Sequence, residues 1–258
     1  MALPRMWKIK REFWRALAKI KVACWRLSRT KTTLEYQGLS VPMRRSGMNA
    51  EVILAIARDV YEQPEIKGLH LVASPGDRIL EVGSGLGIIT ALAARAVAPN
   101  GRVLSFEANP QMIPDTRDFL AEHGITNVEL RHAVLVPQDA KEAEREFHLA
   151  GSFASSSLLG VEGHRARGVI SVPTQRLGDV IAEFRPDVLI CDIEGGEAEL
   201  IPALDASGLR SAVIELHPDR LPQLSIDAIN EALDRQGLFP TPEPLGGTVV
   251  LYTRIPPP

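Results

Sequence analysis

From residue 76 onward, short apolar runs of strand length alternate with longer amphipathic stretches of helix length. Apolar runs bounded by turn residues are typical of buried strands, and apolar recurrence at three and four positions is typical of helices. The pattern predicts strands at 78–82, 102–107, 127–134, 187–192 and 211–216, and helices at 87–97, 110–123, 176–184, 197–204 and 222–236. This alternation predicts an α/β fold with a parallel sheet and crossover helices.

Two stretches of this region depart from the alternation. The pattern predicts a less regular insertion at residues 137–172 and a final pair of strands at residues 238–253. The chain length suits one core with an appendage, because single cores stop growing at about 250–300 residues. We therefore expect one domain over 76–258 that contains the insertion.

An extension of a different character precedes that domain at residues 32–75. Short β-prone pieces flank Gly38, and Ser46 or Asn49 could cap a helix that runs to about Tyr61. We expect this extension to form a lid before the core.

The N-terminal segment, residues 1–31, is strongly basic, with ten Lys or Arg against the single acid Glu12. Residues 6–28 predict one continuous basic amphipathic helix, and the three tryptophans of the chain lie on the border between its faces. Its apolar stripe is Met6, Ile9, Phe13, Leu17, Ile20, Cys24 and Leu27. Such a helix suits an anionic membrane surface, while packing on the body or on a second subunit, and nucleic-acid contact, are alternatives.

A glycine-rich turn follows the first strand of the domain. The strand carries Glu81, and the chain then passes through Gly83, Gly85 and Gly87 into a helix. Glycine permits positive φ and lets a ligand approach the backbone closely. The third glycine stands two positions after the second, so the dinucleotide fingerprint fails. Glu81 would also repel a pyrophosphate, but it would not repel a cofactor with a cationic amine and sulfonium.

Glu107 closes the next strand, twenty positions after Gly87, where a carboxylate can accept both ribose hydroxyls of a nucleotide. With these acids and the glycine turn, residues 77–217 resemble class I methyltransferases that depend on S-adenosylmethionine (SAM). The resemblance implies a Rossmann-like, mostly parallel sheet whose last strand is antiparallel. It also implies a SAM site. We expect its contacts to be Glu81, Gly83, Ser84, Gly85, Gly87, Glu107, Asn109, Ala133 and Asp192.

The fourth strand ends in the run Asp192-Ile193-Glu194-Gly195-Gly196-Glu197. Glu197 has a structural explanation, because an acid in the first turn of a helix is favoured by the dipole and by unpaired N–H groups. Together with residues 106–110 and 213–217, this D-x-E-G-x-E run resembles the FkbM family of methyltransferases. That resemblance implies O-methylation of hydroxyl groups on polyketide and carbohydrate substrates. The chain departs from the usual family form at residues 81–85, which leaves the substrate open.

Methyl transfer to an alcohol requires removal of the hydroxyl proton as the oxygen attacks. We expect His217 or Glu194 to act as the base, with Asp192 and Glu215 orienting the cofactor or the acceptor. A capping or loop role for His217 is the alternative. We expect no metal, although Asp192 and Glu215 could together hold a divalent ion.

Composition indicates where in the cell the protein is expected. Two cysteines are too few for a disulfide framework, and no stretch approaches the apolar length of a membrane span. Basic residues interrupt the N-terminus and leave no signal-peptide core. We expect a cytoplasmic protein with peripheral contact at the inner membrane face.

The leading hypothesis is SAM-dependent O-methylation of a carbohydrate, lipid-linked saccharide or polyketide-like metabolite. A non-catalytic SAM-fold binding or assembly protein and a nucleic-acid methyltransferase are the alternatives. Nucleic acid is disfavoured, because the body is acidic and no Asn-Pro-Pro-Tyr or Asp-Pro-Pro-Tyr type motif ends the fourth strand. An oxidoreductase is disfavoured by the glycine spacing.

Overall fold

A computed structural model describes residues 33–149, 168–242 and 244–254 of the chain. The chain divides into two compact units, Met1–Tyr61 and Glu62–Pro258. The basic helix predicted at 6–28 lies outside the described residues. Among the helices that are described, none is long and apolar enough to cross a membrane.

The described part of the first unit, from residue 33, forms an antiparallel hairpin and one helix. Its elements are β1 (Thr33–Tyr36), β2 (Leu39–Pro42) and α1 (Ala50–Ala57). Gln37 and Gly38 connect the strands with φ of 51° and 71°, as a two-residue primed turn requires. The side chain of Asn49 caps α1 by accepting from the backbone N–H groups of Glu51 and Val52, which confirms one of the two predicted caps.

The described residues of the second unit form ten strands and six α-helices. Its strands are β3 (Arg78–Val82), β4 (Arg102–Glu107), β5 (Val128–His132), β6 (Val134–Val136), β7 (Glu144–Leu149), β8 (Gly168–Arg176), β9 (Val188–Cys191), β10 (Ser211–Glu215), β11 (Phe239–Pro240) and β12 (Val249–Thr253). Its helices are α2 (Gln63–Val72), α3 (Ile88–Val97), α4 (Met112–Glu122), α5 (Leu177–Phe184), α6 (Glu197–Leu200) and α7 (Gln223–Asp234).

Seven of these strands form one central sheet in the order β11-β12-β10-β9-β3-β4-β5. Strands β5, β4, β3, β9 and β10 pair in parallel, and β12 pairs antiparallel with both β10 and β11. The inner strands β4, β3, β9 and β10 are mostly apolar and almost wholly buried, because helices cover both faces of a parallel sheet, whereas the edge strand β5 is polar and partly exposed. The predicted Rossmann-like methyltransferase sheet with an antiparallel last strand is confirmed.

Helix α2 lies inside the span 32–75 that the sequence pattern assigned to the extension. It nevertheless belongs to the second unit, where it packs against β10, β12 and α3. Gly68 permits this packing, since a Cβ there would lie 2.8 Å from a methyl group of Val213. The compact second unit therefore begins at Glu62.

Two predicted elements are broken where the sequence pattern shows continuity. The strand predicted at 127–134 ends at His132, and Val134–Val136 joins a different sheet. The helix predicted at 197–204 is α6 followed by a 3-10 turn at Ile201–Ala203. Pro202 accounts for this second break, because it lacks the N–H that an α-helix needs.

The predicted insertion contributes a small second sheet in the order β6-β8-β7. Strands β7 and β8 pair antiparallel from Glu144 opposite Pro173 to Leu149 opposite Gly168. A separate apolar cluster of Val134, Val136, Phe147 and Val172 holds this sheet together. The sheet therefore brings β7 beside the carboxyl end of the central sheet.

Candidate active site

A cleft of about 970 Å³, including the part open to solvent, lies at the carboxyl ends of the central strands. This is the edge where an open α/β sheet binds its ligands. The predicted site residues that line the cleft are Gly83, Gly85, Glu107, Asn109, Ala133, Asp192 and Glu194. Four other predicted residues, Glu81, Ser84, Gly87 and His217, lie next to it without lining it.

Gly83 lies very close to the backbone of Asp192 at the cleft. Its φ is 98°, and a Cβ at this position would lie 1.9 Å from the carbonyl oxygen of Asp192. Its N–H donates to the carbonyl of Phe106 at 2.9 Å, so the turn is tied to β4 as well. Gly83 therefore allows β3, β4 and β9 to end close together.

The other two glycines of the turn have different surroundings. A Cβ on Gly87 would lie 2.6 Å from Cγ2 of Thr116, so this glycine allows α3 and α4 to meet. Gly85 lines the cleft, and its N–H donates to Oε2 of Glu107 at 2.8 Å. Of the three, Gly85 is the glycine with its backbone both in the cleft and tied to a carboxylate.

Glu107 lines the cleft and accepts three hydrogen bonds from the residues around it. Its Oε2 accepts from Gly85 and from the hydroxyl of Ser84 at 3.3 Å, and its Oε1 accepts from the N–H of Asn109 at 2.7 Å. Burial raises the pKa of Glu107, and these hydrogen bonds oppose the rise. Each carboxylate oxygen can accept more than one hydrogen bond, so the group can still receive two ribose hydroxyls.

Glu81 lies behind the glycine turn and is only 1% exposed. Its Oε2 accepts from the hydroxyls of Thr90 at 2.6 Å and Ser105 at 2.5 Å, while Oε1 is buried without a partner. Burial raises the pKa of Glu81 to about 7. The structure thus shows this predicted cofactor residue bracing β3 against α3 and β4.

His217 follows β10 and meets the acids at the end of β9. Its Nε2 lies 3.5 Å from Oδ1 of Asp192 and 3.5 Å from Oε2 of Glu194, and Oε2 of Glu215 is 4.0 Å away. The histidine is 7% exposed. The three predicted catalytic residues, which the sequence separates by up to 25 positions, are therefore brought together.

Glu197 stands on the far side of the imidazole ring and is fully buried. Its Oε1 lies 3.3 Å from Nδ1 of His217. Each of its oxygens also accepts a backbone N–H at 2.8 Å, from Ile193 and Gly195. Glu197 lies in the first turn of its helix, as predicted, but the N–H groups that it accepts precede the helix. Its contact with His217 was not indicated by the sequence pattern.

Glu194 has an unusual backbone conformation for a residue other than glycine, with φ of 56°. Arg220 holds it there, because Nη2 lies 2.9 Å from its carboxylate and Nη1 donates to its carbonyl at 3.3 Å. Strained backbone of this kind persists only where surrounding contacts hold it, and it is common at functional sites. Arg220 is thus a positioning residue that sequence reasoning missed.

Ionisation in this cluster is shifted by burial and by like charge. Burial raises the pKa of Asp192 well above its usual range, and the nearby carboxylates of Glu215 and Glu194 add to the rise. Burial also raises the pKa of Glu194, although His217 and Arg220 oppose the rise. Perturbed groups in a cleft are typical of active sites.

Several other cleft residues were missed by the sequence analysis. Glu62 precedes α2, Phe147 comes from β7, and Glu199 comes from α6. Glu199 forms a bidentate ion pair with Arg145, which ties β7 to α6. No motif marks these residues, because they reach the cleft only through the packing of α2, α6 and the small sheet.

The two sides of the cleft differ in chemistry. One side is apolar, formed by residues that include Met112, Ala133, Leu135 and Phe147. The opposite side carries Asp192 and Glu194. The apolar side could hold the adenine ring of SAM, the carboxylate of Glu107 could hold its ribose, and the acidic side could hold its amine and sulfonium.

The same acidic side contains a set of metal-type donors. Asp192, Glu194 and His217 each offer one ligand atom, and these atoms lie within 4.8 Å of one another. The sequence suggested Asp192 and Glu215 as an alternative pair of ligands for a divalent ion. Among the described residues, the set found contains Asp192, but with Glu194 and His217 in place of Glu215.

Comparison with known proteins shows short stretches of similarity. One relative is an arsenite methyltransferase of Halobacterium salinarum, 40% identical over 58 residues, which are 22% of this chain and 15% of that protein. Another is a protein-L-isoaspartate O-methyltransferase of Archaeoglobus fulgidus, 38% identical over 71 residues, which are 28% of this chain and 31% of that protein. The match thus spans less than a third of the length of either relative.

Among solved structures, a SAM-dependent O-methyltransferase of Thermotoga maritima is 14% identical, with a TM-score of 0.40, and the match covers 75% of this chain and 65% of that one. Residues 81–237 match the methyltransferase FkbM domain. This match covers more than half of the chain and includes the glycine turn, Glu107 and the acid cluster. The chain belongs to the FkbM methyltransferase family, and its cofactor is SAM.

Proposed function

We propose that this protein transfers the methyl group of SAM to a hydroxyl oxygen of a carbohydrate, lipid-linked saccharide or polyketide-like metabolite. The observation that carries the proposal is the cluster of Asp192, Glu194 and His217 at the cofactor cleft. An alcohol must lose its proton as it attacks, and this cluster offers groups that can accept or withdraw that proton.

In the proposed step, a lone pair of the acceptor oxygen attacks the methyl carbon in line with the carbon–sulfur bond. The O–CH3 bond forms as the S–CH3 bond breaks, and the sulfur keeps the bonding pair and becomes a neutral thioether. The hydroxyl proton passes to His217 or to the carboxylate of Glu194. Glu107 would hold the ribose, while Asn109 and Ala133 would lie on the adenine side.

Charge favours a neutral or cationic acceptor over a nucleic acid. The charged residues that line the cleft are Glu62, Glu107, Asp192, Glu194 and Glu199, and no lysine, arginine or histidine is found among its described lining residues. Proteins that bind nucleic acid neutralise phosphates with Lys and Arg. The acidic wall would instead repel a phosphate group beside the reacting atom.

The cofactor part of the proposal is tested by calorimetry with SAM. We expect the substitution Glu107→Gln to weaken binding at least tenfold, since the ribose loses a charged acceptor, and the exposed Glu122→Gln to leave it unchanged. Equal binding by Glu107→Gln and the wild type would contradict the proposed ribose contact.

The transfer part is tested by incubating the protein with methyl-labelled SAM and fractionated cell extract. Label in a base-stable ether of a glycan, lipid or small metabolite supports the proposal. Label in RNA or DNA supports a nucleic-acid methyltransferase, and tight SAM binding without transfer to any fraction supports a non-catalytic binding protein.

For the basic segment at residues 1–31 we propose contact with an anionic membrane surface on the cytoplasmic side. Its excess of nine positive charges and its three tryptophans support this proposal. Sedimentation with phosphatidylglycerol vesicles should be lost in high salt and when Lys8, Arg11, Arg15, Lys19 and Arg26 are changed to Gln. Dimerisation without vesicle binding would favour a homodimer contact instead.

A further inference from the structure

We propose that Asp192, Glu194 and His217 bind a divalent cation at the acceptor side of the cleft. Four features carry this inference: the spacing of the donor atoms, the orientation of the imidazole ring, the unpartnered Oδ1 of Asp192 and the excess of negative charge. The role of the cation in methyl transfer rests on the proposed function, but its binding does not.

The spacing of the donor atoms is longer than hydrogen bonding requires. Nε2 of His217 lies 3.5 Å from a carboxylate oxygen of Asp192 and of Glu194, whereas N–H···O bonds measure about 2.7–3.2 Å. A cation with bonds of about 2.0–2.2 Å holds neighbouring ligands roughly 3.0–3.5 Å apart. The two distances from His217 therefore have the length expected between ligands of one cation, and the three donor atoms all lie within 4.8 Å of one another.

The orientation of His217 aims a nitrogen into this gap. Nδ1 lies 3.3 Å from Oε1 of Glu197, so the other ring nitrogen, Nε2, is the one that faces Asp192 and Glu194. A cation between Nε2 and these two carboxylates would offset the negative charge gathered around one imidazole ring. A buried carboxylate behind a histidine is the usual arrangement at protein metal sites.

Asp192 provides an independent indication. Its Oδ1 is buried and has no hydrogen-bond partner, although buried carboxylate oxygens are normally paired. The same atom is the one that faces Nε2 of His217. A cation would satisfy it.

The surrounding charges are not balanced by the described side chains. Asp192, Glu194, Glu197 and Glu215 all lie within 4.0 Å of the imidazole, and the arginine in contact with them is Arg220, paired to Glu194. Two carboxylates and one imidazole suit a first-row ion such as Mn²⁺ or Zn²⁺ better than Ca²⁺.

Asp192 and Glu194 line the cleft, so the remaining coordination positions would face the acceptor. A cation that binds a hydroxyl oxygen lowers the pKa of that hydroxyl and orients it. With the cation bound, the acidified hydroxyl would lose its proton to water at the open side of the cleft as its oxygen attacks, in place of transfer to His217 or Glu194.

The test is Mn²⁺ binding to the chelator-treated full-length protein. Binding is measured as loss of the electron paramagnetic resonance signal of free Mn²⁺. We expect one saturable site per chain, weakened at least tenfold by Asp192→Asn and by His217→Gln. The matched control is His132→Gln, because His132 also ends a central strand but has its Nε2 3.1 Å from the carbonyl of Ala108. SAM binding and thermal unfolding identify any variant that fails to fold.

Absence of a saturable site for Mn²⁺ and for Zn²⁺, or binding that Asp192→Asn leaves unchanged, would overturn the proposal. Full methyl transfer in the presence of a chelator would overturn the role of the cation. Mn²⁺ binding without SAM binding would leave the cation site standing and remove the proposed function, so the two failures are distinguishable.

Discussion

Replacing Gly83 by alanine tests whether the close approach of three strands builds the cleft. The added Cβ would stand 1.9 Å from the carbonyl oxygen of Asp192, and real Cβ atoms essentially never approach a neighbour closer than 3.0 Å. The end of β9 must therefore retreat by about 1 Å or more, since a backbone atom cannot rotate away as a flexible side chain can. Asp192 would move with it.

Gly76 provides a matched control for backbone strain. Its φ is 94°, close to the 98° of Gly83, but a Cβ at Gly76 would meet nothing within 4 Å. An alanine at either position costs about 1–3 kcal/mol for its backbone conformation. Only Gly83→Ala adds the steric displacement, for which overpacking costs of about 1–3 kcal/mol are typical.

Urea unfolding and SAM calorimetry on both variants measure the difference. We expect Gly83→Ala to lose about 2–6 kcal/mol of unfolding free energy, the sum of both costs. We expect its SAM affinity to fall at least tenfold, while Gly76→Ala keeps wild-type affinity. Equal stability and equal SAM affinity in the two variants would refute the reasoning, because strain alone would then explain Gly83.

Two further predictions concern buried residues at the edge of the cleft. Burial raises the pKa of Glu81 from 4.5 to about 7, so its ionised form is disfavoured in the folded state and stability is lost as pH rises through that window. Glu81→Gln should therefore gain up to about 3 kcal/mol relative to the wild type between pH 4.5 and pH 8 in urea unfolding, and a pH-independent difference would contradict this. Phe147 is 7% exposed and lines both the small sheet and the cleft. Phe147→Ala should cost about 3 kcal/mol and lower the thermal midpoint, and a midpoint shifted by less than about 2 °C would exclude a core role for this ring.

Local sequence pattern predicted much of the central sheet correctly. Strands at 78–82 and 102–107 have the predicted bounds, because continuous apolar runs between turn residues are decided within a few positions. The order of acids and glycines at their ends also indicated the cofactor. The break between β5 and β6 at Ala133 has no local signal, since it depends on the small sheet that β6 joins.

The cluster of Asp192, Glu194 and His217 shows the same division between local pattern and long-range packing. Sequence order placed Asp192, Glu194 and His217 at the ends of neighbouring strands, and this sufficed to expect them near one another. The contact of Glu197 with the histidine and the hold of Arg220 on Glu194 depend on how the loops after β9 and β10 turn. Those loop conformations arise from long-range packing.

The sequence by itself determined the fold class, the family and the residues at the strand ends, because these follow from periodicity and short-range motifs. Tertiary structure decided which of those residues face the cleft. It assigned Gly83 and Gly87 to contacts between strands and helices, and Glu81 to a buried brace. The physical reason is that side-chain neighbours across the sheet are distant along the chain, so their distances and charges are set only when the elements pack.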